Sequence, residues 1–394
     1  MANPDPVAAP FLFRRAEVAR HLVDALTGAL PFNYRSGLFL AAPRRTGKST
    51  FLRNDLIPEL TARTIISVYV DLWMNKQADP GQLIADAIKA ALRDTESLPR
   101  RAARSAGLRK IGLGSFVSFD VDRIGAPDGA TLTDALTALR KRTGHPVALI
   151  VDEAQHALTT EAGVNAMFSL KAARDALNQG TGDGETSLLL VFTGSHRDKL
   201  ANLVLRRDQP FFGAEILDFP LLGREFTNAY AEWLNERLAE DNRFDADDVL
   251  DAFERLGRRP EMLQSVLREI ALGEGKAPSL KRALATGATA LRERLWEDYD
   301  RDHDAMSALQ KAVLTRLMEE GDRFAPFTAA SLAAYSAALG EAVETPAVQT
   351  AIEALRQKNI IWRSARGAYS LEDQGMIEWF RARQGELAGS PPSR

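Results

Sequence analysis

Two short runs hold the residue types that handle phosphate and water. The first is Ala42-Pro43-Arg44-Arg45-Thr46-Gly47-Lys48-Ser49-Thr50, which follows the apolar run Leu38-Phe39-Leu40-Ala41 and leads into Phe51 to Leu56, the expected start of a helix. In such a loop, successive backbone N–H groups and the positive end of the following helix bind an anionic phosphate. Pro43, Arg44, Arg45, Thr46, Gly47, Lys48, Ser49 and Thr50 are therefore the candidate phosphate-binding residues. Lys48 would add a point charge at the β- and γ-phosphates, and the Ser49 hydroxyl would hold Mg2+. The pattern G-x-x-x-x-G-K-[ST] fails once, where Ala42 replaces the first Gly. Alanine tolerates positive φ poorly, so a differently shaped loop entry is expected. The competing reading is an accidental Gly-Lys-Ser at a helix start.

The second run lies roughly a hundred residues on, where Pro146-Val147-Ala148-Leu149-Ile150-Val151 ends in Asp152-Glu153. Ligands collect at the carboxyl ends of strands in open parallel sheets, which would put Asp152 beside the phosphate loop. Asp152 is a candidate Mg2+ ligand through water, and Glu153 a candidate to orient and polarise the attacking water. Otherwise the pair merely caps the next helix. Thr193 and Ser195, in Phe192-Thr193-Gly194-Ser195, are candidate polar sensors of the γ-phosphate, or else a plain strand-end turn. Arg206 or Arg207 is a candidate arginine finger reaching a neighbouring subunit, against a solvated cationic turn. Arg258 and Arg259 are candidate phosphate contacts from the same subunit, with the same alternative. His21, His145, His156, His196 and His303 show no metal spacing.

The elements that must position these residues follow from periodicity. Thr64 to Asp71, Pro146 to Glu153 and Leu188 to Phe192 are apolar strands like Leu38 to Ala41, with Ala214 to Phe219 a weaker fifth. Helices bearing Val18/Leu22/Leu26, Leu83/Ile84/Ile88/Leu92 and Leu132/Leu136/Leu139 alternate with them, the βαβ rhythm of a parallel sheet. The fold class is therefore α/β, with a P-loop nucleoside triphosphatase core over residues 11–222 after a disordered start at 1–10. Near 99–129 the rhythm breaks: a basic segment precedes the alternating run 111–121, which reads as an inserted hairpin. Residues 223–298 are purely helical and read as a lid, with Asp245 as cap, Gly257 as stop and Pro260 as a fresh start. Over 299–384, three amphipathic helices precede a hairpin at Ile360–Arg363 and Ala368–Leu371, the winged-helix order, and 385–394 read as a disordered tail.

Composition narrows the classes. A chain of 394 residues has room for two or three domains, and 45% apolar with 26% charged residues is ordinary for globular proteins. A formal charge of −3 supplies no global field for nucleic acid, and the lack of Cys excludes disulfides and thiolate metal sites. No apolar run approaches the roughly 20 residues of a membrane span, and the first residues lack a signal-peptide pattern. A cytoplasmic protein with no membrane contact is expected.

The loop, the Asp152-Glu153-Ala154-Gln155 box, Phe192-Thr193-Gly194-Ser195 and a helical lid leading to a winged helix together resemble the archaeal-type ATPases, relatives of the AAA+ and STAND P-loop groups. Phe13-Arg14-Arg15-Ala16-Glu17 is similar to that family's Phe-x-x-Arg-x-x-Glu entry with altered spacing, and the likeness covers nearly the whole chain. The resemblance implies ATP and Mg2+ as ligands, an additional-strand core and nucleotide-dependent homo-oligomers. It also implies a setting among mobile elements or antiviral defence. Ala42 departs from the family pattern, as does Phe212-Gly213-Ala214, which stands where the family often has Gly-Arg.

Two functions compete. In the first, an ATPase works on or beside DNA, with helix 346–358 in the groove and Arg356, Lys358, Arg363 and Arg366 near phosphates, although acids in the same domain offset those bases. In the alternative, a STAND-like switch hydrolyses slowly and docks a protein partner without binding DNA. A small-molecule kinase fits the lid and winged helix poorly.

Overall fold

In the computed structural model, the residues described are 11–30, 34–75, 77–105, 124, 129–179, 187–205, 207–272, 280–365, 367–373 and 375–389. Five parallel strands form the main sheet: β1 (Leu38–Ala41), β2 (Ile66–Asp71), β3 (Val147–Asp152), β4 (Leu188–Gly194) and β5 (Ile216–Asp218). Every residue of β1, β3 and β4 is buried, which is why these runs are continuously apolar rather than alternating. The order is β2-β3-β4-β1-β5, so β4 stands between the loop-bearing strand and the Asp152 strand. This is the additional-strand arrangement. Register aligns the carboxyl ends, with Ala41 opposite Gly194 and Asp71 opposite Asp152.

Successive residues of β1 enter opposite cores. Leu38 and Leu40 pack with α1 (Ala16–Thr27), α2 (Lys48–Phe51) and α3 (Ile57–Ala62) through Val23, Leu26, Phe51 and Leu60. Phe39 and Ala41 face α4 (Pro80–Ser105), α5 (Leu132–Thr143) and α6 (Glu161–Gln179) through Ile84, Leu136, Met167 and Leu170. Between α2 and α3 the helix opens into a π turn over Leu52–Leu56, where the Ile57 N–H donates to the Leu52 carbonyl. Pro58 explains the widening: it has no N–H, and its ring would clash with the carbonyl four residues back. α4 runs through Pro99 to Ser105, so the basic segment expected as a hairpin approach begins as helix. Arg100, Arg101, Ala102, Ala103 and Arg104 are strong helix formers there. The expected hairpin strands at 111–121 lie outside the described residues, as do 1–10.

The described residues divide into two compact units. One is Arg15–Ala42 with Ser49–Phe219; the other is Met1–Arg14, Pro43–Lys48 and Pro220–Arg394. A short α7 (Arg197–Ala201) follows β4 in the first unit. In the second, α8 (Arg224–Asn235), α9 (Ala246–Arg255), α10 (Pro260–Leu272) and α11 (Leu280–Asp304) surround Phe226, Phe253 and Leu263, and Phe13 packs edge-on to Phe226. Asp245 caps α9 by accepting the N–H groups of Asp247 and Asp248.

A separate core around Val313, Leu314, Tyr335, Val348 and Ile361 joins α12 (Ala308–Glu320), α13 (Ala329–Leu339), α14 (Thr345–Gln357) and the antiparallel pair β6 (Ile361–Ala365) and β7 (Ala368–Leu371). A further helix, α15 (Gly375–Gly389), places Trp379 in that core, and the Trp379 indole N–H donates to Asp300 at 2.9 Å. Residues 385–389 are thus helical where a tail is expected. Among the described residues, no helix is long and apolar enough to cross a membrane.

The sheet's tightest aromatic packing is at Phe192, fully buried between Phe39 at 4.7 Å and Phe211 at 4.8 Å between ring centroids. Phe192→Ala is expected to cost about 3–5 kcal/mol, read as a lowered urea midpoint, with Phe192→Leu losing clearly less.

Candidate functional site

β1 delivers the loop. Ala42 extends the β1–β4 pairing by one residue, its N–H donating to the Gly194 carbonyl at 3.1 Å, and its methyl joins the Leu38/Leu40 core. Its φ is not positive: the left-handed conformations fall on Arg45 (φ 66°) and Gly47 (φ 87°). The positive φ that would strain an alanine is therefore absent at Ala42. Thr46 is buried and its hydroxyl donates to the Pro43 carbonyl at 2.8 Å, closing the turn. Lys48 is buried, whereas Arg44, Arg45, Ser49 and Thr50 are exposed. Arg45 pairs with Glu261 at 3.4 Å, an exposed ion pair of small energetic weight.

β3 delivers the carboxylates. Asp152 is fully buried and survives there by accepting hydrogen bonds. Its Oδ2 accepts from the Ser49 hydroxyl at 2.6 Å and the Tyr69 hydroxyl at 3.0 Å, and its Oδ1 accepts from the Thr193 hydroxyl and from the Glu153 N–H at 3.1 Å. Burial, followed by the Asp152 charge, raises the Tyr69 phenol above its ordinary pKa and keeps it a donor. On β2, Asp71 is also raised, first by burial and further by the charges of Asp152 and Glu153, although the Trp73 N–H it accepts opposes this.

Glu153 leaves the strand in a left-handed conformation, φ 56°, which costs a non-glycine residue on the order of 1 kcal/mol and aims its carboxylate back across β4. There Glu153 Oε2 accepts from the Ser195 hydroxyl at 2.7 Å, the Ser195 N–H at 3.2 Å and the Gln155 amide at 2.5 Å. A Cβ at Gly194 would stand 2.6 Å from Gln155 Oε1, so a larger residue there would move the end of that side chain.

Ser49, Asp152, Glu153, Thr193 and Ser195 thus converge, joined by Tyr69 and Gln155. Sequence periodicity gave Tyr69 no role, and its hydroxyl does not single it out in a strand that also carries Ser67 and Asp71. Elsewhere the expectations divide. Arg206 and Arg366 lie outside the described residues, and Arg207 is exposed in a turn. Arg258, at φ 55°, pairs with Glu254 at 3.0 Å. Arg259 pairs with Asp373 at 2.5 Å, and Asp373 also accepts from the Tyr299 hydroxyl at 2.7 Å. Arg356 pairs with Glu353 at 2.8 Å, Lys358 donates to the Ala305 carbonyl at 3.2 Å, and Arg363 is half-buried on β6.

Among the described residues, no group of three or more His, Cys, Asp or Glu side chains could hold a metal ion. The Ser49 hydroxyl and Asp152 carboxylate nevertheless suit Mg2+, a hard cation that takes few protein oxygens and completes its shell with water and phosphate.

No protein-family model and no curated protein matches the chain. Among solved structures, it is similar to the Walker-type ATPase of Pyrococcus abyssi, at 18% identity over 94% of this chain and 96% of that one, TM-score 0.55. It is also similar to the Aeropyrum pernix ORC2 protein in its ADP form, at 14% identity over 98% of both chains, TM-score 0.57. The chain therefore shares the α/β P-loop fold of these two proteins, the fold that the archaeal-type resemblance implies.

Because Gly194 faces the end of the Gln155 side chain, Gly194→Ala is expected to lose about 0.5–1.5 kcal/mol in urea unfolding, the scale of one side chain forced off its rotamer. Adding Gln155→Ala should recover much of that loss, and a double variant no more stable than Gly194→Ala would refute the contact.

Proposed function

We propose that this protein is a Mg2+-dependent ATPase whose nucleotide state controls self-assembly and a C-terminal winged-helix docking module. The observation that carries this reading is the bond from the Ser49 hydroxyl to the Asp152 carboxylate, with Glu153 next in the chain and held by Ser195. In this proposal the loop Pro43 to Thr50 wraps the phosphates and Lys48 adds its charge to them. Ser49 and Asp152 would hold Mg2+, which would supply positive charge beside the phosphoryl oxygens. Glu153 accepts a proton from, or orients, the attacking water, while Thr193 and Ser195 hold the two carboxylates in place. Arg206 or Arg207 is the finger offered to a neighbouring copy. The DNA contacts are Arg356, Lys358, Arg363 and Arg366, in a setting of mobile elements or antiviral defence.

A second reading, a slow-hydrolysing switch that docks a protein partner, is favoured by two details. Glu153 Oε2 is already occupied by Ser195 and Gln155, and Glu353 offsets Arg356. Such a switch would turn binding energy into a change of assembly rather than rapid turnover.

Lys48→Ala is expected to lose ATP binding, and Glu153→Gln to keep binding while turnover falls about 10²–10⁴-fold. Equal turnover in the wild type and Glu153→Gln sinks the catalytic assignment. DNA binding that weakens with salt, measured by anisotropy with and without ATP, supports the first reading; none at low salt, with an ATP-dependent gain in mass, supports the switch.

A further inference from the structure

Tyr69 touches the site without a part in the chemistry above. Its hydroxyl donates to the same Asp152 oxygen that accepts from Ser49. β2 and β3 run in parallel register with Tyr69 opposite Ile150, so the sheet fixes the distance between the phenol and the carboxylate. The Arg53 guanidinium lies 4.9 Å from the Tyr69 ring centroid, within cation–π range. Arg53 belongs to the π turn Leu52–Leu56 that precedes Pro58, and such turns recur at functional sites. Helix, strand and carboxylate are therefore linked in one chain of contacts: Arg53 on the Tyr69 ring, the Tyr69 hydroxyl on Asp152, Asp152 on Ser49.

We propose that Tyr69 is a positioning residue for the Asp152 carboxylate, with Arg53 steadying its ring. The proposal rests on the Mg2+–ATP reading. The Ser49 hydroxyl donates its proton to Oδ2 and would offer a lone pair to Mg2+, while the Tyr69 hydroxyl gives the same Oδ2 a second hydrogen bond from β2 that fixes its direction. A tyrosine that only satisfied a buried carboxylate would affect stability alone; a positioning tyrosine affects the concentration of Mg2+ required.

The test titrates Mg2+ into the full chain with a fluorescent N-methylanthraniloyl-ATP, reading the Mg2+ midpoint of binding, the affinity in EDTA and the melting temperature without nucleotide. Tyr69→Phe keeps the ring beside Arg53 and removes the hydroxyl, with its hydrogen bonds to both Asp152 and Arg53. It is expected to raise the Mg2+ midpoint about tenfold, the usual scale for a partner of a metal-ligating group, with affinity in EDTA unchanged. Arg53→Gln, at an exposed position, is expected to raise the midpoint about two- to fivefold, and to add little in the Tyr69→Phe background. An unchanged midpoint in Tyr69→Phe, whatever its melting temperature, overturns the proposal. If Tyr69→Phe does not fold, an unchanged midpoint in Arg53→Gln overturns it instead. A wild-type chain that binds no nucleotide with Mg2+ overturns the ATPase reading itself and this inference with it.

Discussion

The burial of one negative charge organises the centre of this protein. Asp152 is wholly removed from solvent at the end of β3, where an isolated carboxylate would cost many kcal/mol. Hydrogen bonds offset that cost, and their donors come from separate parts of the chain: the helix after the loop through Ser49, β2 through Tyr69, β4 through Thr193 and the next backbone N–H at Glu153. Strand order makes the convergence possible. Only because β4 lies between β1 and β3 can Thr193 reach one oxygen of Asp152 while Ser195 reaches Glu153.

Conformationally costly backbone lies next to that carboxylate. Glu153 takes a left-handed conformation at the strand end, and Pro58 forces a π turn in the helix that carries Ser49 and Arg53. Such departures persist where packing over-determines them, and here β1, β3 and β4 are buried along their whole length. In the second unit, Arg259, Tyr299 and Asp373 form a comparable polar knot that joins the starts of α10 and α15 with α11. A largely buried guanidinium with a carboxylate at 2.5 Å exchanges that partner for another anion only if the new contact is stronger.

Much of the architecture was legible from the residues alone. Continuous β-branched and leucine runs could be nothing but doubly covered strands, and the Gly47-Lys48-Ser49 and Asp152-Glu153 ends identified themselves by charge placed directly after apolar runs. Periodicity failed where signals conflicted. Pro99 announced a stop that α4 overrides, and the polar composition near the C-terminus concealed α15, which exists because Trp379 finds both a core and the Asp300 carboxylate. Ala42 looked like a defect in a motif and has no positive φ, since a sequence pattern records residue types and not φ angles.

By itself, the sequence determined the strands, the phosphate loop and the two carboxylates, because these depend on local composition and on short-range spacing. Tertiary structure alone decided which side chains complete them. That Tyr69 shares an oxygen of Asp152 with Ser49, that Gly194 lies against the Gln155 amide, and that Arg259 is held by Asp373 are facts about pairs 83, 39 and 114 residues apart. No local periodicity encodes such pairs. They arise when parallel register and strand order bring distant polar groups to one buried place, where each must find a partner or forfeit the free energy of its lost hydration.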